Sequence, residues 1–189
     1  KYFEIRPMVV GETEVDLGIT IDIDDPKEVG ADRVVNAVAA LDRYKGSLIV
    51  VDFGTATTFD VVDADGTYRG GVIAPGINLS LEALYNAAAR LPRISISETK
   101  TSEPSTKISK VIGKSTKAAM HSGIFWGYIG LIEGIVTRIK HEFARPMTVI
   151  GTGGLANIFY DATDSIDHID EDITNAGLVL IYKRNLPWK

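Results

Sequence analysis

With 189 residues, 45% hydrophobic and 24% charged, the chain can bury a core of one to one and a half domains, which excludes the disordered and fibrous classes. A net charge of -5 without a basic tract offers a phosphate backbone no large counterion-release gain, so nucleic acid is not an expected partner. The lack of cysteine excludes disulfides and thiolate metal sites and points to a reducing cytoplasm; His121, His141 and His168 lack metal-ligand spacing, and the longest apolar run, 124–139, is broken by Glu133, so no membrane span is expected.

Residues 18–23 alternate loosely as a strand, and Asp24-Asp25-Pro26 marks the entry to a helix over 29–44, whose Val34, Val35, Val38, Ala39 and Leu41 form one apolar stripe. Lys45-Gly46 stops that helix, and 48–52 is a short, fully apolar strand. A second strand over 59–62, the turn Asp63-Ala64-Asp65-Gly66 and a third strand over 68–74 follow, giving three antiparallel strands. Beyond Pro75-Gly76 a helix runs to about Arg90, and the polar stretch 94–112 reads as an exposed loop or lid. Ser115 or Thr116 caps a long helix to about Phe143; then come a strand at 147–150, a short helix at 155–160, a strand at 166–169 and a helix at 174–184. The order from Leu48 is β-β-β-α-α-β-α-β-α. That is the connectivity of an α/β, ribonuclease-H-like (actin-like ATPase) half, a mixed β-sheet with helices on both faces. Residues 1–46 read as the remainder of an amino-terminal half, and 47–189 as the carboxy-terminal half.

The segment Val50-Val51-Asp52-Phe53-Gly54-Thr55-Ala56-Thr57-Thr58-Phe59-Asp60 carries most of the chemistry. An apolar strand delivers a carboxylate, a bare glycine turn and several hydroxyls to one place, which suits phosphates and a cation. Gly30-Ala31-Asp32-Arg33 opens a helix, where free N–H groups favour anions; Asp32 could accept a hydroxyl proton and Arg33 could fork onto a carboxylate or phosphate, although Asp32 also suits ordinary first-turn electrostatics. Gly70-Gly71-Val72-Ile73-Ala74-Pro75-Gly76 needs either close backbone approach or a packing bend. Ile112-Gly113-Lys114-Ser115-Thr116 is not a P-loop, because Ile108 stands where its first glycine belongs. Gly151-Thr152-Gly153-Gly154-Leu155-Ala156 has dinucleotide-fingerprint spacing, but only one strand follows it, so a glycine loop beside an adenosine suits the position better. Gly123, Gly127, Gly130 and Gly134 mark one helix face for a close helical neighbour, either in this chain or in a second copy.

On these residues, above all 30–36, 51–59, 70–76, Leu91-Pro92-Arg93 and 112–134, the chain resembles the type III pantothenate kinases, a family also labelled Bvg accessory factor. The resemblance implies ATP-dependent phosphorylation of pantothenate, with ATP, Mg2+ and K+ or NH4+ as cofactors. It implies that Gly30, Ala31, Asp32 and Arg33 line the substrate pocket with Asp32 as general base, that Asp52 holds the monovalent cation, and that Thr55 and Gly54 contact ATP together with Gly151 and Gly153. Thr116 would reach pantothenate from the neighbouring subunit of a homodimer with shared active sites. Three departures accompany it. Ile23 stands where the family often has a Tyr, nine residues before the base; the 97–109 segment is longer than usual; and the family's Asp-x-Gly-Asn-Thr phosphate loop is not found in these residues, so the 189-residue chain by itself is expected to be nearly inactive. A regulatory protein on the same scaffold is the competing expectation.

Overall fold

The structure, a computed structural model, describes residues 7–87, 91–95 and 110–186. The 97–109 segment lies outside the described residues. Six strands form one mixed sheet in the order β1-β4-β3-β2-β5-β6. They are β1 (Thr20–Ile21), β2 (Ser47–Phe53), β3 (Ala56–Val62), β4 (Thr67–Pro75), β5 (Met147–Thr152) and β6 (His168–Ile169). The helices are α1 (Ala31–Arg43), α2 (Ile77–Ala87), α3 (Thr116–Phe143), α4 (Ala156–Tyr160) and α5 (Ile173–Arg184). The element order from β2 onward is the expected one, and the β2-β3-β4 meander is antiparallel, whereas β5 joins β2 in parallel.

The uninterrupted apolar run of β2 follows from burial on both faces. Leu48 and Val50 pack with Ala37, Ala40, Val62, Tyr68, Ile150 and Ile173, on the side covered by α1 and α5. Ile49, Val51 and Phe53 pack with Phe59, Val61, Ile132, Val149 and Phe159, on the side covered by α2, α3 and α4. Helices therefore cover both faces, as in the ribonuclease-H-like fold. α1 and α5 approach so closely that a side chain on Gly177 would stand 2.1 Å from the Val35 carbonyl oxygen. Among the described residues, no helix is long and apolar enough to cross a membrane.

Three expectations change in detail. The strands at 18–23 and 166–169 shrink to Thr20–Ile21 and His168–Ile169, each a two-residue edge of the sheet. Ser115 rather than Thr116 caps α3, its hydroxyl accepting from the Ala118 N–H. Among the described residues the glycine face of α3 has no helical neighbour: a Cβ on Gly123, Gly127 or Gly130 would meet nothing within 4 Å, and one on Gly134 would meet Arg138 of the same helix. The face toward the sheet is instead carried by Tyr128, Ile129, Ile132 and Val136.

At the far end of β2 and β3, Asp63 gathers the Ser47 hydroxyl (3.0 Å), the Ala64 N–H (2.7 Å) and the Arg145 guanidinium (3.1 Å). Burial pushes its carboxyl up, but these donors, with Arg69, outweigh burial and hold it below the usual carboxylate range. A depressed folded-state value stabilises above the unfolded value, near pH 4, and that stabilisation is lost as pH falls through the folded one. Asp63→Asn is therefore expected to lower the melting temperature at neutral pH, with the gap to wild type closing in acid. Thermal denaturation across the pH range checks this; a gap of constant size would contradict it.

Candidate functional site

The carboxyl ends of the parallel strands β2 and β5 lie beside the start of β3 and the end of β4, so loops from all four converge at one sheet end, the usual ligand crevice of such sheets. Asp52 is the last polar residue of β2, flanked in register by Thr58 of β3 and Thr152 of β5. The chain then reverses at Gly54 and Thr55 alone, both exposed, and is back in a strand at Ala56. The hydroxyl cluster expected here is thus smaller than the sequence suggests: Thr57 is buried, Thr58 donates to Asp60 (3.0 Å), and only Thr55 is open to a ligand. Strand alternation sends Thr57 into the core.

Two glycines close this turn from the sides. A Cβ on Gly76, one residue before α2, would lie 2.0 Å from the Thr55 carbonyl oxygen, so the start of α2 rests against the turn. Gly153 has φ +89°, and a Cβ there would stand 2.7 Å from Asp52 Oδ1 and 2.8 Å from both Phe53 N and O. Gly153 is thereby fixed against the end of β2 by sterics as well as by its left-handed backbone. Gly151 is different: it is buried, and a Cβ there would meet Ile166 and Ile169, so β6 packing accounts for that glycine.

Asp52 is half-buried and accepts a hydrogen bond from Asn36 Nδ2 (3.0 Å), whose Oδ1 accepts in turn from the Thr174 hydroxyl (2.7 Å). Burial pushes the Asp52 carboxyl above its ordinary value; the Asn36 bond pulls it down, and the nearby charges of Asp32 and Asp60 push it up again. Among the described residues no Lys or Arg pairs with it. A carboxylate raised by burial and by like charges, with one oxygen at a glycine backbone, fits a hard, weakly held cation in its donor chemistry. Among the described residues, no cluster of three or more His, Asp and Glu could by itself hold a metal ion.

The amino end of α1 lies beside the same site. Gly30 begins the helix without a side-chain cap, and a Cβ there would stand 2.6 Å from Asp32 Oδ1, so a bare residue at 30 leaves the Asp32 carboxylate its place. Asp32 is exposed and, among the described residues, accepts only from the adjacent Arg33 N–H (2.9 Å). Arg33, expected to fork onto a ligand, instead spends its Nε and Nη2 on Asp60 Oδ1, both at 2.7 Å. Ala31 is exposed on the first turn. Thr116 stands exposed at the start of α3 and shares no hydrogen bond with this cluster among the described residues.

The sequence matches the family described as type III pantothenate kinase over residues 1–138. The chain belongs to the type III pantothenate kinase family. It is 60% identical over 187 residues to a protein of that name from Rhodospirillum rubrum, covering 99% of this chain and 69% of the relative. The Paramagnetospirillum magneticum protein of that name is 60% identical, and the Caulobacter vibrioides one 56%; the match covers 98% of this chain and 68% of each relative. Among solved structures, a Campylobacter jejuni protein described as a Baf family transcriptional activator superposes with a TM-score of 0.61 at 22% identity, covering 89% of this chain and 70% of that one, a likeness of fold alone.

The sequence alone assigned no role to Asn36, Asp60 or Thr174, which hold the residues it did select. A signal existed for two of them. Asn36 is a polar residue within the apolar stripe of α1, and Asp60 shares strand alternation with Thr58. A buried Asn or Asp in such places needs a partner. Thr174 gave no signal, because its partner lies 138 residues away.

Proposed function

We infer that the chain transfers the γ-phosphoryl group of ATP to the primary hydroxyl of pantothenate, yielding 4'-phosphopantothenate and ADP, the first step toward coenzyme A. The observation that carries this reading is the convergence of Asp32, Asp52 and the Gly54-Thr55 turn at one sheet end, in a chain 60% identical to named type III pantothenate kinases. The regulatory alternative has no such support.

In this reading Asp32 accepts the proton of the pantothenate hydroxyl as its oxygen attacks the γ-phosphorus, while the bond to the β,γ-bridging oxygen breaks and ADP leaves. Its exposure supports the role, since an exposed carboxylate can be reached by a substrate hydroxyl. Gly30, Ala31 and Arg33 line the pantothenate pocket. Thr55, the Gly54 backbone and the Gly153 loop contact ATP, with the α2 amino terminus behind the turn offering positive dipole. Asp52 would hold K+ or NH4+, which would supply positive charge to the site, and Mg2+ would accompany the nucleotide. Phosphoryl transfer asks mainly for such positioning and charge neutralisation. The division at 46/47 is read as the end of an amino-terminal half and the start of the carboxy-terminal one, with β1 and α1 lying on the sheet of the carboxy-terminal half. The open glycine face of α3 takes the same face of a second copy, which brings Thr116 to the partner's pantothenate.

A coupled ADP-release assay on the full-length protein tests the reading, with and without pantothenate, in sodium and then potassium buffer. ADP release is expected to require pantothenate and to rise when potassium replaces sodium. Release that ignores pantothenate contradicts it.

A further inference from the structure

Asp60 lies in the middle of β3 and is fully buried, an expensive place for a carboxylate. Three donors converge on it. Arg33 reaches Oδ1 through Nε and Nη2 at 2.7 Å, the Tyr68 hydroxyl donates to the same oxygen at 2.7 Å, and the Thr58 hydroxyl donates to Oδ2 at 3.0 Å. The strand facing Asp60 is built to admit the guanidinium. Gly71 is its register partner on β4, and a Cβ there would stand 2.9 Å from Arg33 Nη2 and 2.1 Å from the Phe59 carbonyl oxygen. The Tyr68 ring lies 5.8 Å from the guanidinium carbon, closing a second side. Arg33 is thus clamped along one edge, while Nη1 makes no bond to Asp60.

We propose that Asp60 is a positioning residue for substrate selection: it locks the Arg33 guanidinium so that the Nη1 end meets the carboxylate of the acyl substrate. The proposal rests on the reading that Arg33 lines the pantothenate pocket. A long Arg side chain loses rotamer freedom when it grips a carboxylate; here Asp60, Tyr68 and Gly71 have restricted it before substrate arrives. A purely structural ion pair welding α1 to β3 would use the same contacts. It would not, however, distinguish a charged substrate from a neutral one.

The test compares pantothenate with its carboxamide analogue, which keeps the phosphorylated hydroxyl and loses the charge. In wild type, kcat/KM favours the acid. Arg33→Ala removes that preference. Asp60→Asn is expected to raise KM for pantothenate about 10–100-fold, the cost of breaking a buried, hydrogen-bonded charge pair, with kcat and the KM for ATP little changed and the carboxamide handled as by wild type. Tyr68→Phe keeps the ion pair and is expected to shift the acid-to-amide ratio in the same direction by a few-fold; it decides the question should Asp60→Asn melt early. If Asp60→Asn or Tyr68→Phe slows both substrates equally, the clamp is structural and the proposal is overturned. If Arg33→Ala leaves the acid preference intact, the placement of Arg33 in the pocket is wrong, and the proposal falls with it.

Discussion

Replacing Asp32 by Asn lowers kcat for pantothenate phosphorylation by about 10^2–10^4-fold, the range for loss of a general base. KM for pantothenate and ATP changes little, because the amide keeps the shape and one acceptor. The fold is untouched: Asp32 is exposed, and its only hydrogen bond among the described residues is accepted from the neighbouring Arg33 N–H. That separation of effects makes the variant informative. Melting temperature stays at the wild-type value while the chemical step collapses, which steady-state kinetics and a thermal melt on the same preparation will show. A variant with wild-type kcat would remove Asp32 from the chemistry.

Gly153→Ala damages the site from the opposite side. The residue holds φ +89°, where an L side chain costs about 1–2 kcal/mol. Its new Cβ would also stand 2.7 Å from Asp52 Oδ1 and 2.8 Å from Phe53 N and O. Two of those three atoms are backbone, so no rotamer change relieves the overlap; the loop must lift off the end of β2. A displacement near 1 Å at a reacting site costs about 10^2-fold in rate, and the strain alone lowers Tm by about 2–4 °C per kcal/mol in a chain of this size. The neighbouring Gly154→Ala is the control. Its Cβ meets nothing within 4 Å, so activity and melting temperature stay close to wild type. Equal losses in both variants would show that the loop tolerates nothing, and that the contact with Asp52 is not the cause.

The order of elements was legible because β2 is an apolar run, Asp63-Ala64-Asp65-Gly66 marks the turn between β3 and β4, and α1 carries an apolar stripe closed by Lys45-Gly46. Edge strands were not legible in length. Thr20–Ile21 and His168–Ile169 are fixed by their neighbours β4 and β5 rather than by their own residues. The glycines of α3 look like packing glycines in sequence, yet they face outward, since one-dimensional spacing cannot say which way a helix turns. At the site, Asp32, Asp52 and the Gly54-Thr55 turn could be chosen by residue type and position. Their supports could not. The Asp60–Arg33 pair spans 27 residues and the Asn36–Thr174 bond 138, and such partners are created by the sheet order.

The most direct measurement is the identity of the product. The full-length protein, incubated with pantothenate and ATP labelled in the γ-phosphoryl group, is predicted to place the label on the primary hydroxyl of pantothenate, as read by phosphorus NMR and mass spectrometry. The Asp32→Asn variant should leave the label on ATP. Label released only as inorganic phosphate, or carried to pantothenate equally by wild type and variant, would contradict a pantothenate kinase that works through Asp32.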